Sequence, residues 1–102
     1  MTLEAIFEDR GFDVTSVESL AQARIQLPRR FDAVFLDVHL PDGMGTSLVR
    51  EIRAISPASI VIVLSGDAGV DPAGADIVAV KAGDPEELAQ QVERLIERRP
   101  QG

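Results

Sequence analysis

The sequence has no cysteine, tryptophan or tyrosine, and its only aromatic residues are four phenylalanines. Without cysteine the chain can form neither a disulfide framework nor a thiolate metal site, which fits the reducing cytoplasm, the compartment we expect. The longest apolar run, residues 60–64, is far shorter than the roughly 20 residues that span a bilayer, so we expect no membrane contact. The opening residues lack a basic stretch followed by an apolar one, so we expect no signal peptide.

Basic residues are scarce as well. Ten Lys and Arg residues stand against seventeen Asp and Glu residues, which gives a formal net charge of −7. An averaged negative field repels polyanions, so we expect this chain to bind no nucleic acid. The remaining composition is that of a globular protein, with 45% apolar and 26% charged residues in a chain of 102. We therefore expect one domain over residues 1–102.

Helical and strand patterns alternate along the chain. Apolar residues at helical spacing, with matching caps, predict four helices over residues 1–10, 19–27, 48–55 and 84–99. Short apolar or alternating runs predict four strands over residues 12–17, 33–36, 60–64 and 77–80. This alternation predicts an α/β fold with a parallel sheet and right-handed crossovers. Segment 66–76 contains three glycines, three aspartates and Pro72, so we predict an irregular connection with at most one helical turn.

Three chemically complementary side chains directly follow apolar strands: Asp37, Ser65 and Lys81. In open α/β sheets chemistry collects at the carboxyl ends of the strands, so we expect these residues to lie near one another. A carboxylate can attack a phosphoryl group, a hydroxyl can hydrogen-bond the transferred oxygens, and a lysine can neutralise the added charge. The pattern therefore favours phosphoryl chemistry centred on Asp37.

The sequence around Asp37 resembles the receiver domains of response regulators in two-component signalling. The acceptor aspartate of that family is followed by a proline four residues on and a glycine eight residues on, and Pro41 and Gly45 stand at these positions. The likeness continues through residues 63–66 and 74–81 and covers nearly the whole chain. It implies a flavodoxin-like, doubly wound parallel sheet.

The resemblance also implies roles for individual residues. Asp37 would take a phosphoryl group from a histidine kinase or phosphotransfer protein, Ser65 would follow that group, and Lys81 would pair with it. Asp37 and the backbone carbonyl of His39 would be ligands of Mg²⁺. The chain would then act not as an enzyme but as a phosphoacceptor, signalling to a downstream effector protein or domain through a changed protein-binding face.

The sequence departs from the family pattern in three ways. The family's first strand, with the acidic pair at its end that holds magnesium, has no counterpart, and the fourth crossover helix is shortened to segment 66–76. Ala82 stands where a proline is usual, and Val78 stands where a switching aromatic is common. These departures favour an alternative, a pseudo-receiver that is never phosphorylated and serves as a protein-interaction module. A phosphatase of the haloacid dehalogenase type is a further alternative, but it needs a second aspartate where this sequence has His39.

The absent strand should affect the whole fold. Such a strand buries about four to five apolar side chains at roughly 1.5–3 kcal/mol each. That sum is comparable to the entire stability of a typical domain, about 5–15 kcal/mol. We therefore expect either that residues 12–17 pair directly with strand 33–36, or that two chains form a homodimer that restores the lost contacts. We favour the dimer, because the rearrangement would also move two helices onto new partners.

Overall fold

Helices and strands follow one another in the order that the sequence predicts, with two exceptions, a strand that is absent and a short hairpin that was not predicted. The computed structural model describes residues 2–66, 69, 71 and 73–98. Its helices are α1 (Leu3–Asp9), α2 (Leu20–Gln26), α3 (Val49–Ile55) and α4 (Pro85–Arg98), and a 3-10 turn over Gly45–Leu48 leads into α3. Its strands are β1 (Ala33–Asp37), β2 (His39–Leu40), β3 (Gly43–Met44), β4 (Ile60–Ser65) and β5 (Ile77–Val80).

The three longer strands form a parallel sheet in the order β1-β4-β5. The ladder aligns Asp37 with Leu64, and one residue further along β4 it aligns Ser65 with Val80. Because the strands run in the same direction and end at nearly the same level, their carboxyl ends form one rim. The α/β architecture and the parallel sheet are therefore confirmed.

Two apolar clusters cover the two faces of the sheet. One cluster combines α1, α4 and one set of strand side chains and contains Ile6, Phe7, Ile60, Ile62, Ala89 and Val92. The other combines α2, α3 and the alternate side chains and contains Leu20, Leu36, Leu48, Val49, Ile52 and Val61. Three successive residues of β4, at positions 61–63, are 0% exposed. A strand that is covered on both faces explains why its sequence is a continuous apolar run.

The helix ends follow the predicted capping chemistry. The hydroxyl of Ser19 accepts a hydrogen bond from the N–H of Gln22 at 3.1 Å, and the carboxylate of Asp84 accepts one from Glu86 at 2.9 Å. Gly11 follows α1 with a φ of +89°, a conformation in which a side chain would be strained. α4 ends at Arg98 among the described residues, and the predicted Arg99 lies outside them.

The strand predicted over residues 12–17 is wrong. These residues carry no helix or strand, and the described part of the chain gives them no ladder partner. Phe12 donates its N–H to the carbonyl of Phe7 at 3.0 Å, which only closes the last turn of α1. A strand needs a neighbour as well as a local pattern, and segment 12–17 is separated from β1 by a groove. The rearranged sheet, in which segment 12–17 pairs directly with β1, is therefore wrong as well.

Two connections bear on the site. The predicted loop after Asp37 contains an antiparallel hairpin, in which β2 and β3 pair His39 with Met44 and Leu40 with Gly43. Between β4 and β5, the described residues at 66, 69, 71 and 73–76 form bends and turns without a helix, as predicted. The same prediction also covers residues 67, 68, 70 and 72, which lie outside the described residues.

Candidate functional site

The three residues selected from the sequence lie at the carboxyl rim of the parallel sheet. Asp37 ends β1, Ser65 ends β4, and Lys81 directly follows β5. Backbone hydrogen bonds connect these strand ends. The N–H of Lys81 donates to the carbonyl of Ser65 at 2.7 Å. The N–H of Val38 likewise donates to the carbonyl of Leu64 at 3.1 Å. The relative positions of Asp37 and Lys81 are thus fixed by the ladder rather than by flexible loops.

Asp37 and Lys81 form an ion pair across this rim. The ammonium nitrogen of Lys81 lies 2.6 Å from Oδ1 of Asp37. Oδ1 is buried from solvent and makes no well-aligned hydrogen bond with any of the described residues. The two side chains are therefore held together by the attraction of their opposite charges. Because the side chains are 40% and 54% exposed, solvent screens this attraction to at most about 1 kcal/mol. The remaining exposure leaves Asp37 open to an incoming reactant.

Ser65 differs from the other two residues in its exposure. It is only 4% exposed, and it is already engaged with a partner inside the protein. The structure therefore brings Asp37 and Lys81 into direct contact, whereas Ser65 adjoins them through the backbone.

The close approach of two backbone segments explains the glycine eight residues after Asp37. The N–H of Gly45 donates to the carbonyl of Val38 at 2.9 Å, which folds the hairpin back onto the end of β1. A Cβ atom added at Gly45 would overlap the carbonyl oxygen of Asp37. Any larger residue would push the backbone of Asp37 away from its position, so this spacing is a steric requirement of the site.

Asp42 has a structural role that was not predicted, because the sequence around it is typical of an ordinary acidic loop residue. Its two carboxylate oxygens accept hydrogen bonds from the N–H groups of Leu20 at 2.8 Å and Ala21 at 3.0 Å. These bonds, that from Leu20 first, hold the pKa of Asp42 below its ordinary value of 3.8. The hairpin is thereby attached to the first turn of α2. The sequence does contain one indication of this role. The first turn of α2 has no acidic residue, so its free N–H groups need an acceptor from elsewhere in the chain.

The side chains at the rim do not by themselves fit a magnesium ion. No group of three or more His, Asp or Glu residues that could hold a metal occurs within residues 2–66, 69, 71 and 73–98. Asp37 offers one carboxylate, and one of its oxygens already faces Lys81. His39 lies in β2 with an exposed side chain, so the resemblance adds only its backbone carbonyl. Magnesium prefers six oxygen ligands in octahedral geometry, and this donor set falls well short.

Comparison with known proteins identifies the family. The family model described as "Response regulator receiver domain" matches residues 1–93. The chain belongs to this family. The receiver fold, a flavodoxin-like parallel sheet with helices on both faces, is shown by solved structures that superimpose over almost the whole chain. A receiver domain is a signalling module of two-component systems, so the comparison also supports the class of function that the motif around Asp37 implies.

Individual relatives show how far the likeness extends. The transcriptional regulatory protein PrrA of Mycobacterium tuberculosis is 36% identical in an alignment 96 positions long, which covers 87% of this chain and 41% of PrrA. A response regulator receiver protein of Sinorhizobium medicae has a TM-score of 0.85 at 28% identity and covers 96% of this chain and 85% of its own. The receiver domain of the sensor histidine kinase PA1611 of Pseudomonas aeruginosa, solved with a magnesium ion coordinated in its active site cleft, has a TM-score of 0.80. The two sequences are 30% identical, and the superposition covers 93% of this chain and 85% of the PA1611 receiver chain.

The receiver corresponds to only part of the full-length relatives. The chain spans between 23% and 44% of the curated regulators that it matches first. The activities of whole regulators are therefore not carried over to this chain. None of the described helices is long and apolar enough to cross a membrane.

Proposed function

We propose that this receiver accepts a phosphoryl group on Asp37 from a histidine kinase or phosphotransfer protein, and that residues 1–102 act as one signalling unit. The observation that carries the proposal is the ion pair between Asp37 and Lys81 at the carboxyl rim of the sheet. It joins a partly exposed nucleophile to a cation that can balance the charge of its product. An aspartate without a charge partner would be only a strand-end residue.

The chemistry requires little from the protein beyond position and charge. A carboxylate oxygen of Asp37 attacks the phosphorus of a phosphohistidine, the phosphorus–nitrogen bond breaks, and the departing imidazole keeps the electron pair and takes up a proton. The acyl phosphate that forms carries more negative charge than the carboxylate, which strengthens its attraction for Lys81. The receiver makes one bond and then holds it, so we propose a phosphoacceptor and not an enzyme with turnover.

The response of the rim would pass to a protein partner. Lys81 leads out of β5, and its backbone is bonded to Ser65, so a shift of Lys81 toward a phosphoryl group would move both strand ends. Ser65 would exchange its present partner for an oxygen of that group. We propose that the loops after β4 and β5 thereby change a surface to which a downstream effector protein or domain binds.

Magnesium, the cofactor that the resemblance implies, would find few protein ligands at this rim. The protein ligands that the resemblance implies for Mg²⁺ are Asp37 and the carbonyl of His39, and the described residues contain no group of three or more His, Asp or Glu side chains that could hold a metal. We therefore expect weak magnesium binding by the unmodified chain, in contrast to the receiver of PA1611.

A specific observation also favours a second function. Because the described residues contain no group of three or more side chains that could hold a metal, the receiver could keep its fold and its docking surface without being phosphorylated, as a pseudo-receiver. The phosphatase alternative has less support, because His39, which stands in place of a second aspartate, has an exposed side chain in the hairpin. Hydrolysis of aryl phosphates that is lost in Asp37→Asn would be needed to restore it.

The decisive experiment measures covalent phosphate. The chain is incubated with radiolabelled acetyl phosphate, with and without Mg²⁺, and the label that resists denaturation but is released by alkali is counted. We expect uptake by the wild type and none by Asp37→Asn, which keeps the shape of the side chain and removes the nucleophile. Asp9→Asn, the same change at an exposed acid at the end of α1, should behave as the wild type. Equal label on Asp37→Asn and wild type would refute the assignment, and no label with unchanged amide spectra would favour the pseudo-receiver.

A further inference from the structure

The tip of the β2–β3 hairpin is attached to α2, a helix that lies about twenty residues earlier in the chain. Each carboxylate oxygen of Asp42 accepts one backbone hydrogen bond, from Leu20 at 2.8 Å and from Ala21 at 3.0 Å. Leu20 also packs against the hairpin, because a Cβ atom added at Gly43 would lie 2.7 Å from its Cδ1 atom. The side chain of Leu40 packs against the apolar cluster that contains Leu20. The hairpin therefore has both polar and apolar contacts with the first turn of α2.

The base of the same hairpin is attached to Asp37. Asp37 ends β1, and β2 begins two residues later at His39. The other arm of the hairpin returns to this point, where the N–H of Gly45 donates to the carbonyl of Val38 at 2.9 Å. Only two residue pairs separate the base from the tip, a distance of about 7 Å. A displacement of the tip is therefore transmitted to the backbone beside Asp37.

The beginning of α2 does not depend on Asp42 alone. The hydroxyl of Ser19 accepts a hydrogen bond from the N–H of Gln22 at 3.1 Å, and the N–H of Glu18 donates to the side-chain oxygen of Gln22 at 2.8 Å. These contacts form a cap within the helix's own sequence. The two hydrogen bonds of Asp42 add what a local cap cannot provide, a link between this helix and the hairpin.

The position of that backbone matters for phosphoryl transfer. Oδ1 of Asp37 is buried and faces Lys81, although the side chain of Asp37 is 40% exposed, so the other oxygen is the one open to a phosphodonor. That oxygen must approach the phosphorus in line with the bond that breaks. A misplacement on the order of 1 Å can lower the rate of such a reaction by about 10²-fold. The rate is therefore sensitive to contacts that fix the backbone of Asp37 without touching the phosphodonor.

We propose that Asp42 is a positioning residue of the acceptor site, which acts through the hairpin to hold the backbone of Asp37 in the orientation that phosphoryl transfer requires. This inference rests on the phosphoacceptor role proposed above for Asp37. Because energetic coupling between two sites is reciprocal, phosphorylation of Asp37 in turn changes the environment of the N–H groups of Leu20 and Ala21. The first turn of α2 then responds to phosphorylation together with the loops after β4 and β5.

The rate of phosphate uptake in three variants tests the assignment. Asp42→Ala removes both hydrogen bonds to α2, and Asp42→Asn keeps one acceptor oxygen. Ser19→Ala is the matched control, because it removes a hydrogen bond at the same helix end that does not involve the hairpin. Uptake of label is measured over a range of acetyl phosphate concentrations, at a temperature at which circular dichroism shows the proteins to be folded.

We expect Asp42→Ala to lower the maximal rate of uptake by about tenfold, with little change in the half-saturating concentration of acetyl phosphate. Asp42→Asn should lie between this variant and the wild type, and Ser19→Ala should match the wild type. If Asp42→Ala does not fold, Asp42→Asn carries the same comparison with Ser19→Ala.

Amide spectra of the unphosphorylated chain provide a second test, which does not depend on phosphoryl transfer. Asp42→Ala should shift the amide resonances of Val38 and Gly45, whereas Ser19→Ala should leave both in place. When acetyl phosphate is added to the wild type, the amide resonances of Leu20 and Ala21 should shift as well.

The possible failures can be told apart. Wild-type uptake by Asp42→Ala, with unshifted resonances at Val38 and Gly45, would overturn the inference and leave Asp42 as a cap of α2 alone. Equal losses of rate in Asp42→Ala and Ser19→Ala would also overturn it, because the effect would then follow from the stability of α2. A wild-type chain that takes up no label would refute the phosphoacceptor function itself, and the inference with it.

Discussion

The guanidinium group of Arg53 lies 2.8 Å from the carboxylate of Asp76 and ties α3 to the segment that enters β5. Arg53 also donates to the carbonyls of Ser59 at 2.8 Å and Gly74 at 3.1 Å. Asp76 in turn accepts a hydrogen bond from the N–H of Val61 at 2.8 Å. One arginine thus fixes the start of β4 and the start of β5 relative to α3.

Replacement of Arg53 by alanine should destabilise the receiver by about 1–3 kcal/mol, because the partly buried carbonyl of Ser59 and the carboxylate of Asp76 lose a charged partner. Arg50→Ala, at an exposed position of the same helix, should cost no more than about 0.5 kcal/mol. The free energy of unfolding from urea titration measures both effects. Equal losses in the two variants would show that Arg53 is only a surface charge.

Replacement of Gly45 by alanine adds a single methyl group but should strongly destabilise the fold. The new methyl group would overlap the Asp37 carbonyl, and relief requires movement of the backbone. We expect a loss of at least about 3 kcal/mol, together with reduced phosphate uptake, because the nucleophile moves with its backbone. Gly66→Ala meets no atom within 4 Å and should leave stability nearly unchanged. Wild-type stability of the Gly45 variant would argue against the close contact.

The hydrogen bonds to Asp42 predict a particular pH dependence. The pKa of Asp42 is lower in the folded chain than in the unfolded one, where it is near 3.8. The contribution of Asp42 to the free energy of unfolding is therefore fully present at a pH above this unfolded-state pKa. It is lost as the pH falls through the lower folded value. Asp42→Asn should therefore lower the unfolding temperature at neutral pH and make the decline below about pH 4 less steep. Asp13→Asn, a change at another exposed aspartate, serves as the control in the same series of thermal melts.

Lys81 is the only lysine of the chain, which allows its response to be followed without interference. With lysine selectively labelled with ¹⁵N, the side-chain ammonium gives a single resonance, and it lies 2.6 Å from Asp37. That resonance should shift when acetyl phosphate is added to the wild type and stay fixed in Asp37→Asn. A shift of equal size in both proteins would mean that Lys81 responds to free phosphate rather than to a modified Asp37.

Much of this receiver was accessible from the sequence, because its main elements depend on local patterns. The continuous apolar run of β4 predicted a strand that is covered on both faces, and its middle residues are 0% exposed. The spacing from Asp37 to Gly45 indicated the family, and its physical reason, the close approach of Gly45 to the Asp37 carbonyl, is visible only in the structure. Asp37 and Lys81 were selected only as strand ends, and the ladder brings them into contact.

The misses concern features that depend on distant partners. Residues 12–17 have the local pattern of a strand but form none, since no strand lies beside them. The role of Asp42 depends on the first turn of α2, more than twenty residues earlier, and the only sign of it in the sequence is that this turn has no acid of its own. The homodimer stays a prediction, and sedimentation at micromolar concentration would test it.

The pairing of the first and last helices also limits when the chain can fold. Arg10, which caps α1, forms ion pairs with Glu86 at 3.1 Å and Glu93 at 2.5 Å, both on α4. The β1–β4 ladder, by contrast, closes a much shorter stretch of chain, from Ala33 to Ile60. Because the entropic cost of closing a loop increases with its length, the sheet can assemble first and α1 docks last. On the ribosome, α1 would thus wait until α4 has been synthesised, and until then its apolar face would be available to chaperones.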